Sequence, residues 1–281
     1  VLNAKPFKLV VASSPDKHRP SHILLHAVQG WGKTSLAAQS PTPVFLMSKN
    51  ETGLLTLIEN RQVGPTPWIR FPKGKDSFSD EAESWTDVLS AVRALLTEDH
   101  PYKTLVLDTM NGLERLCHEY VCANAYKGDW GEKGFLGFQK GYDTALQDWR
   151  TLLHLLDRLR SERGMGTLAL CHTQVKTQTN PLGPDYDRFV PTMHKKTWDL
   201  THGWSDMCLF GRFEVEVDTG GSKSKTKGKG SGGSTRLLVT TYSAAWDAKN
   251  RHGLPEEIEV SSTNPQDAWA DFMAALSEAR G

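Results

Sequence analysis

Residues 21–35 read SHILLHAVQGWGKTS. Ser21 to His26 is apolar enough for a buried strand, and the segment from Lys33 to Gln39 starts a helix. Between them stands Ala27-Val28-Gln29-Gly30-Trp31-Gly32-Lys33-Thr34, which matches the phosphate-binding P-loop except that Ala27 occupies the first glycine position. The chemistry requires this order of residues. Consecutive backbone N–H groups wrap a β-phosphate and the helix start adds partial positive charge. Lys33 reaches the β and γ oxygens, and the Thr34 hydroxyl binds magnesium. Gln29, Gly30, Trp31, Gly32, Lys33, Thr34 and Ser35 are the expected nucleotide-binding residues, with ATP and Mg2+ as the expected ligands. The plain alternative is a glycine-rich turn with a solvated lysine.

Outward from this loop, short apolar runs alternate with longer helical patterns, the signature of a mostly parallel sheet covered by helices. Strands are expected at Val44 to Met47, Trp68 to Phe71, Thr104 to Leu107 and Thr167 to Cys171. Helices are expected over Ala82 to Leu96, Leu113 to Tyr126 and Tyr142 to Arg160, the last stopped by Gly164 and Gly166. Met207 to Val217 and Arg236 to Tyr242 alternate like two strands. The stretch between them, DTGGSKSKTKGKGSGGS (218–234), has no apolar residue, so it reads as a flexible hairpin tip. A helix from Asp267 to Ala279 closes the chain, and no linker separates two domains.

Asp108 follows four apolar strand residues, where a carboxylate is placed to hold magnesium, although Asp also caps helices at such positions. Thr109 comes next rather than a glutamate, which sends the search for a general base elsewhere. Glu51, just past the second strand, is the first candidate to polarise the attacking water, and Glu114 the second. His172, at the end of the TLALC strand, is placed either to sense a γ-phosphate or simply to bond the sheet end. Ala248 to Gly253 reads AKNRHG. It resembles the KNRFG motif of RadA and the finger of DnaB-type helicases, so Lys249 and Arg251 are candidates to reach a neighbouring subunit's γ-phosphate; a solvated basic turn is the alternative.

Taken together, GWGKTS, LVLDTMNGLE, GEKGFLGFQKGY, DWRTLLHLLDRLR, LALCHT, NPLGPDYDRF and AKNRHGLP cover residues 20–255 in order. The sequence resembles the RecA-like phage ATP-binding proteins of the AAA domain group that includes the Sak-type single-strand annealing proteins. The resemblance implies an α/β RecA-like P-loop core; with the two alternating strands as a β-hairpin extension near the carboxyl end, the chain reads as a single domain over 1–281. It also implies ATP hydrolysis coupled to single-stranded DNA in phage recombination, annealing or replication. A finger acting in trans further implies a homo-oligomeric ring or filament. Alternatives of other classes are a replicative helicase or helicase-loader ATPase, and a DNA-binding annealing protein in which ATP controls only oligomeric state.

The chain has 281 residues with 33 Lys+Arg against 33 Asp+Glu, so bulk charge does not hold it on a polyanion and local patches must. In RecA-like proteins, DNA meets the loops after the Asp108 and His172 strands. Those loops carry Lys127, Trp130, Lys133, Phe135, Phe138 and Lys140, then Lys176, Arg188, Lys195 and Lys196. The rings either stack bases or pack a lid on the core. Lys223, Lys225, Lys227 and Lys229 either gather phosphates or only solubilise the tip. The four cysteines form no CxxC pair and no zinc ligand set, and no run is long enough to span a membrane. The expected location is the cytoplasm, that of a bacterial host if the chain is phage-encoded, with reduced thiols.

Overall fold

The computed structural model describes residues 19–218, 229–260 and 267–280. Its strands are β1 (His22–Ala27), β2 (Pro43–Met47), β3 (Phe71–Pro72), β4 (Phe78–Ser79), β5 (Thr104–Asp108), β6 (Gly166–Gln178), β7 (Tyr186–Pro191), β8 (Met207–Asp218), β9 (Lys229–Val239) and β10 (Glu257–Val260). Its α-helices are α1 (Lys33–Ala37), α2 (Gly53–Glu59), α3 (Trp85–Thr97), α4 (Met110–Tyr126), α5 (Lys140–Arg163), α6 (Lys195–Trp204) and α7 (Ala268–Arg280). The main sheet has the order β10-β9-β8-β1-β6-β5-β2, with β7 paired to the far part of β6. From β8 to β2 every pairing is parallel, while β9 and β10 add an antiparallel edge. This is the expected α/β architecture, a mostly parallel sheet flanked by helices, with the hairpin extension toward the carboxyl end.

Strand periodicity divides the core into two layers. Leu24, Leu46, Leu105, Leu107 and Ala169 face a cluster built with α3, α4 and α5. Leu25, Phe45, Met47, Val106 and Leu170 face the opposite cluster, built with α1, α2 and α7. The long helix α5 buries Trp149, Leu152, Leu153, Leu155, Leu156 and Leu159, and Trp149 stacks on Trp85 of α3 at 5.8 Å between ring centres. Each such side chain contributes about 1.5–3 kcal/mol by leaving water. Gly164, left-handed at φ 63, ends α5, as its position just past the apolar stripe predicts. Ser84 and Asp87 form a reciprocal capping box that starts α3.

The structure departs from the sequence expectation in several places. Residues 229–234, expected in a flexible tip, belong to β9 and pair with β8: Lys229 lies opposite Asp218 and Gly232 opposite Val215. Residues 219–228, with Lys223, Lys225 and Lys227, lie outside the described residues. Trp68 makes only an isolated bridge to Phe45, with the strand itself reduced to Phe71–Pro72. Residues 173–204, to which the sequence pattern assigns no element, complete a β6–β7 hairpin and then form α6. No described helix is long and apolar enough to cross a membrane.

Candidate nucleotide site

The sheet brings together four chain segments at the carboxyl ends of its parallel strands. β1 delivers the loop 27–32, and the parallel register sets His172 of β6 directly beside Ala27. β5 ends at Asp108, one strand further on, and β2 ends just before Ser48, with Glu51 in the following turn. Gly30 and Gly32 have φ of 77° and 104°, left-handed values that an L side chain rarely adopts. The loop is anchored from below by Trp31, whose side chain is 1% exposed. Its Nε1 donates to the Arg212 carbonyl at 3.1 Å. The indole lies on Gly211 of β8, where an added Cβ would come within 2.6 Å of the ring. The Trp31 backbone N–H donates to the Val28 carbonyl at 3.3 Å, so it closes the loop on itself.

Inside this frame the polar groups converge. Thr34 Oγ1 donates to Asp108 Oδ2 at 3.2 Å. Thr109 Oγ1 donates to Glu51 Oε1 at 3.1 Å, and His172 Nε2 lies 2.9 Å from the same oxygen. Lys33 is buried, with Nζ donating weakly to the Ala27 carbonyl at 3.4 Å. Residues not singled out from sequence hold these groups in place. Ser48 Oγ accepts from the Thr109 N–H at 3.1 Å, and Asn111 Oδ1 accepts from the His172 N–H at 3.2 Å. Gly112 is required for close approach, since a Cβ there would sit 2.0 Å from Ser48 Oγ. The only sequence signal for Ser48, Thr109 and Asn111 was their adjacency to the two strand ends.

The charges in this site are strained. Burial raises the Asp108 pKa to about 6, and the Glu51 carboxylate pushes the same way against the Thr34 bond and Lys33. Burial also pushes Glu51 up, but the His172 bond and charge, the Thr109 bond and Lys33 together hold it below the usual carboxylate value. Lys33 is pushed down by burial, against the pull of Asp108, Cys171 and Glu51. A carboxyl that is costly to ionise beside a threonine hydroxyl is what a bound divalent cation would offset. Among the described residues no group of three acidic, His or Cys side chains gathers as an all-protein metal cage. A hydroxyl and one carboxylate instead suit Mg2+, which takes its remaining oxygens from phosphates and water. Thr34 and Asp108 fit it on that chemistry.

The other sequence candidates lie elsewhere. Glu114 accepts the His194 N–H on both carboxylate oxygens, at 3.1 and 3.0 Å, at the start of α6. It therefore seats a helix rather than a water for attack, which corrects its second place as base. Lys249 and Arg251 lie toward the amino ends of the strands, away from this chain's own P-loop. Lys249 Nζ donates to the Ser205 carbonyl at 2.8 Å and to the His202 carbonyl, while exposed Arg251 reaches the Gly203 carbonyl at 3.5 Å. Phe135 is fully buried among Trp130, Tyr126, Tyr142 and His118, so this ring packs a lid. Phe138 is 94% exposed, with Lys140 Nζ 5.8 Å from its ring centre. Arg188 pairs with Asp247, Lys195 with Asp199, and Lys196 with Asp143.

A P-loop sharing one sheet end with Asp108 and Glu51 belongs to a nucleotide-binding core, and the AAA domain family profile matches residues 19–252. The chain belongs to that AAA domain family. It is thereby a P-loop NTPase by family, a class that generally binds ATP with Mg2+. None of the curated proteins matches the sequence. Among solved structures, the crystal structure of the RadB recombinase superposes with a TM-score of 0.43 at 9% identity, covering 88% of this chain and 90% of that one.

Proposed function

We propose that this AAA domain protein is an Mg-ATP hydrolase that acts on single-stranded DNA, in phage-type homologous recombination or single-strand annealing. The observation that carries the reading is the convergence of Lys33, Thr34, Asp108, Glu51 and His172 on one side of the P-loop. Gln29, Gly30, Trp31, Gly32 and Ser35 supply the rest of the phosphate cradle, Trp31 by anchoring it from beneath. Mg2+, held by Thr34 and Asp108, would neutralise charge on the transferred phosphoryl group. Glu51 takes the proton of the attacking water. Its carboxylate is kept ionised by His172 and Thr109, which also fix its direction. His172 sits between the P-loop start and Glu51, the position from which a γ-phosphate would compete for its imidazole.

Arg251 is exposed at the far end of the sheet, with Lys249 beside it on the His202 and Ser205 carbonyls, which fits a finger only in a homo-oligomeric ring or filament where they meet a neighbour's nucleotide. Single-stranded DNA is assigned to the surface around Phe138 and Lys140, where an exposed ring stands beside a cation. The whole is read as one RecA-like domain.

The deciding experiment is ATP hydrolysis with Mg2+, with and without single-stranded DNA, at low and moderate salt, beside a Lys33→Ala control. Stimulation by DNA that vanishes in the control is expected. Hydrolysis indifferent to DNA, with no DNA binding at low salt, would leave the nucleotide reading intact and overturn the DNA substrate.

A further inference from the structure

Arg236 lies in the middle of β9, opposite Phe213 of β8 and Val260 of β10. It shares a face of the strand with Leu238, two residues on, which packs in the same cluster as Ala27 and Trp31. Its side chain runs along the underside of the sheet end to the P-loop. A Cβ added to Gly32 would sit 3.5 Å from one terminal guanidinium nitrogen of Arg236 and 3.7 Å from Cζ. The guanidinium thus stands within one side-chain atom's reach of the loop, one residue before Lys33.

The charge there has no protein partner among the described residues. Arg236 Nε is buried without a hydrogen bond. Arg188, Arg212 and Arg280 share that feature, but each is tied through a terminal nitrogen, to Asp247, Glu257 and His252 respectively. Among the described residues Arg236 has no such tie. A guanidinium does not lose its proton in a protein, so a half-buried one without an anion keeps an uncompensated desolvation cost. Lys33, on the other side of Gly32, is a second cation pressed by burial, its ammonium donating only weakly to the Ala27 carbonyl. Two such cations flanking a phosphate loop are arranged for a polyanion.

Sheet order decides which part of it. Glu51, Asp108 and His172 all stand on the β6, β5 and β2 side of β1, whereas Arg236 reaches the loop from the β8 and β9 side. A polyphosphate laid across the loop with its reacting end at Glu51 points its other end toward Arg236. We propose that Arg236 is a binding residue of the nucleotide site, acting in cis, that holds the α- and β-phosphate end common to ATP and ADP. This rests on the nucleotide reading above and adds to it a ligand outside the P-loop motif.

The test is equilibrium binding of Mg-ATP and Mg-ADP to wild-type protein, Arg236→Gln, Arg236→Lys and Lys33→Ala, with kcat and KM for ATP. Arg236→Gln removes one charge-assisted hydrogen bond to phosphate, so it should weaken ADP and ATP alike by about 10- to 100-fold. KM should rise and kcat persist, and Arg236→Lys should recover part of the affinity. ADP affinity equal to wild type in a folded Arg236→Gln protein would overturn the assignment while leaving the nucleotide reading standing. A loss for ATP that ADP does not share would place the arginine at the γ-phosphate, and also overturn it. If Arg236→Gln does not fold, Arg236→Met, which keeps the apolar stem and removes the charge, decides, since unchanged ADP affinity there overturns the assignment. Wild-type protein that binds neither nucleotide would sink both readings.

Discussion

His172 Nε2 lies 2.9 Å from Glu51 Oε1, although the two residues are 121 positions apart. They meet because β2 and the part of β6 that pairs with β1 and β5 end at the same edge of the sheet. This pairing, with the Thr109 bond, fixes the carboxylate proposed as base. Glu51→Gln should lower kcat about 10²- to 10⁴-fold with ATP affinity retained. His172→Ala should also lower kcat, while His172→Gln, which keeps a donor at that point, should restore part of it. Turnover by Glu51→Gln at the wild-type rate would remove the base assignment.

Glu114 offers a pH test away from the phosphate loop. Burial raises its pKa to about 7, against the bonds it accepts from Thr197 and the His194 N–H. A folded pKa above the unfolded one means a stabilising contribution that is full below the unfolded value and lost as pH rises through about 7. Thermal melts from about pH 6 to about pH 8 should therefore show the wild-type Tm falling relative to that of Glu114→Gln. Parallel Tm curves for the two proteins would contradict the burial argument.

Gly211 leaves room for the indole that anchors the P-loop. A Cβ there would stand 2.6 Å from the Trp31 ring and 2.7 Å from Ala27 Cβ. Gly211→Ala should cost about 1–3 kcal/mol of stability through overpacking and weaken nucleotide binding by displacing the loop. Denaturant titration and ADP binding on the same protein would check both effects.

Lys249 and Arg251 should separate experimentally. Lys249 is engaged with carbonyls at the end of α6, so Lys249→Ala should lower stability by about 1–2 kcal/mol in addition to any catalytic effect. Arg251 is exposed and only loosely held, so Arg251→Ala should melt like wild type and bind ATP, yet hydrolyse it slowly. Unaltered hydrolysis by Arg251→Ala would end the finger assignment.

Phe138, 94% exposed, contributes little to packing. Phe138→Ala should weaken single-stranded DNA binding by about 1–3 kcal/mol and leave DNA-free hydrolysis unchanged. Fluorescence anisotropy with a labelled oligonucleotide would measure the first. Equal affinity for both proteins would move the DNA surface elsewhere.

Local pattern controls part of this molecule, and that part could be read along the chain. Apolar runs such as Thr104 to Leu107 must be buried strands, the stripe on α5 must face a core, and the glycines of residues 27–34 allow a turn that few other residues can make. These features were legible because periodicity and backbone freedom act within a few residues. The short helices α2 and α6 and the edge strand β10 escaped, since their lengths carry too few periods to read. Which polar groups face one another was settled only by the packing of distant segments. Glu51 and Glu114 are both acids following strands in the sequence, but packing turns one toward His172 and the other onto the start of α6. Phe135 and Phe138 lie three positions apart, yet one is enclosed by four rings and the other is in solvent. Arg236 reads as an ordinary strand residue until strand order carries it to Gly32. Pairings at such long separation depend on the order and direction of strands, which no short window of residues encodes.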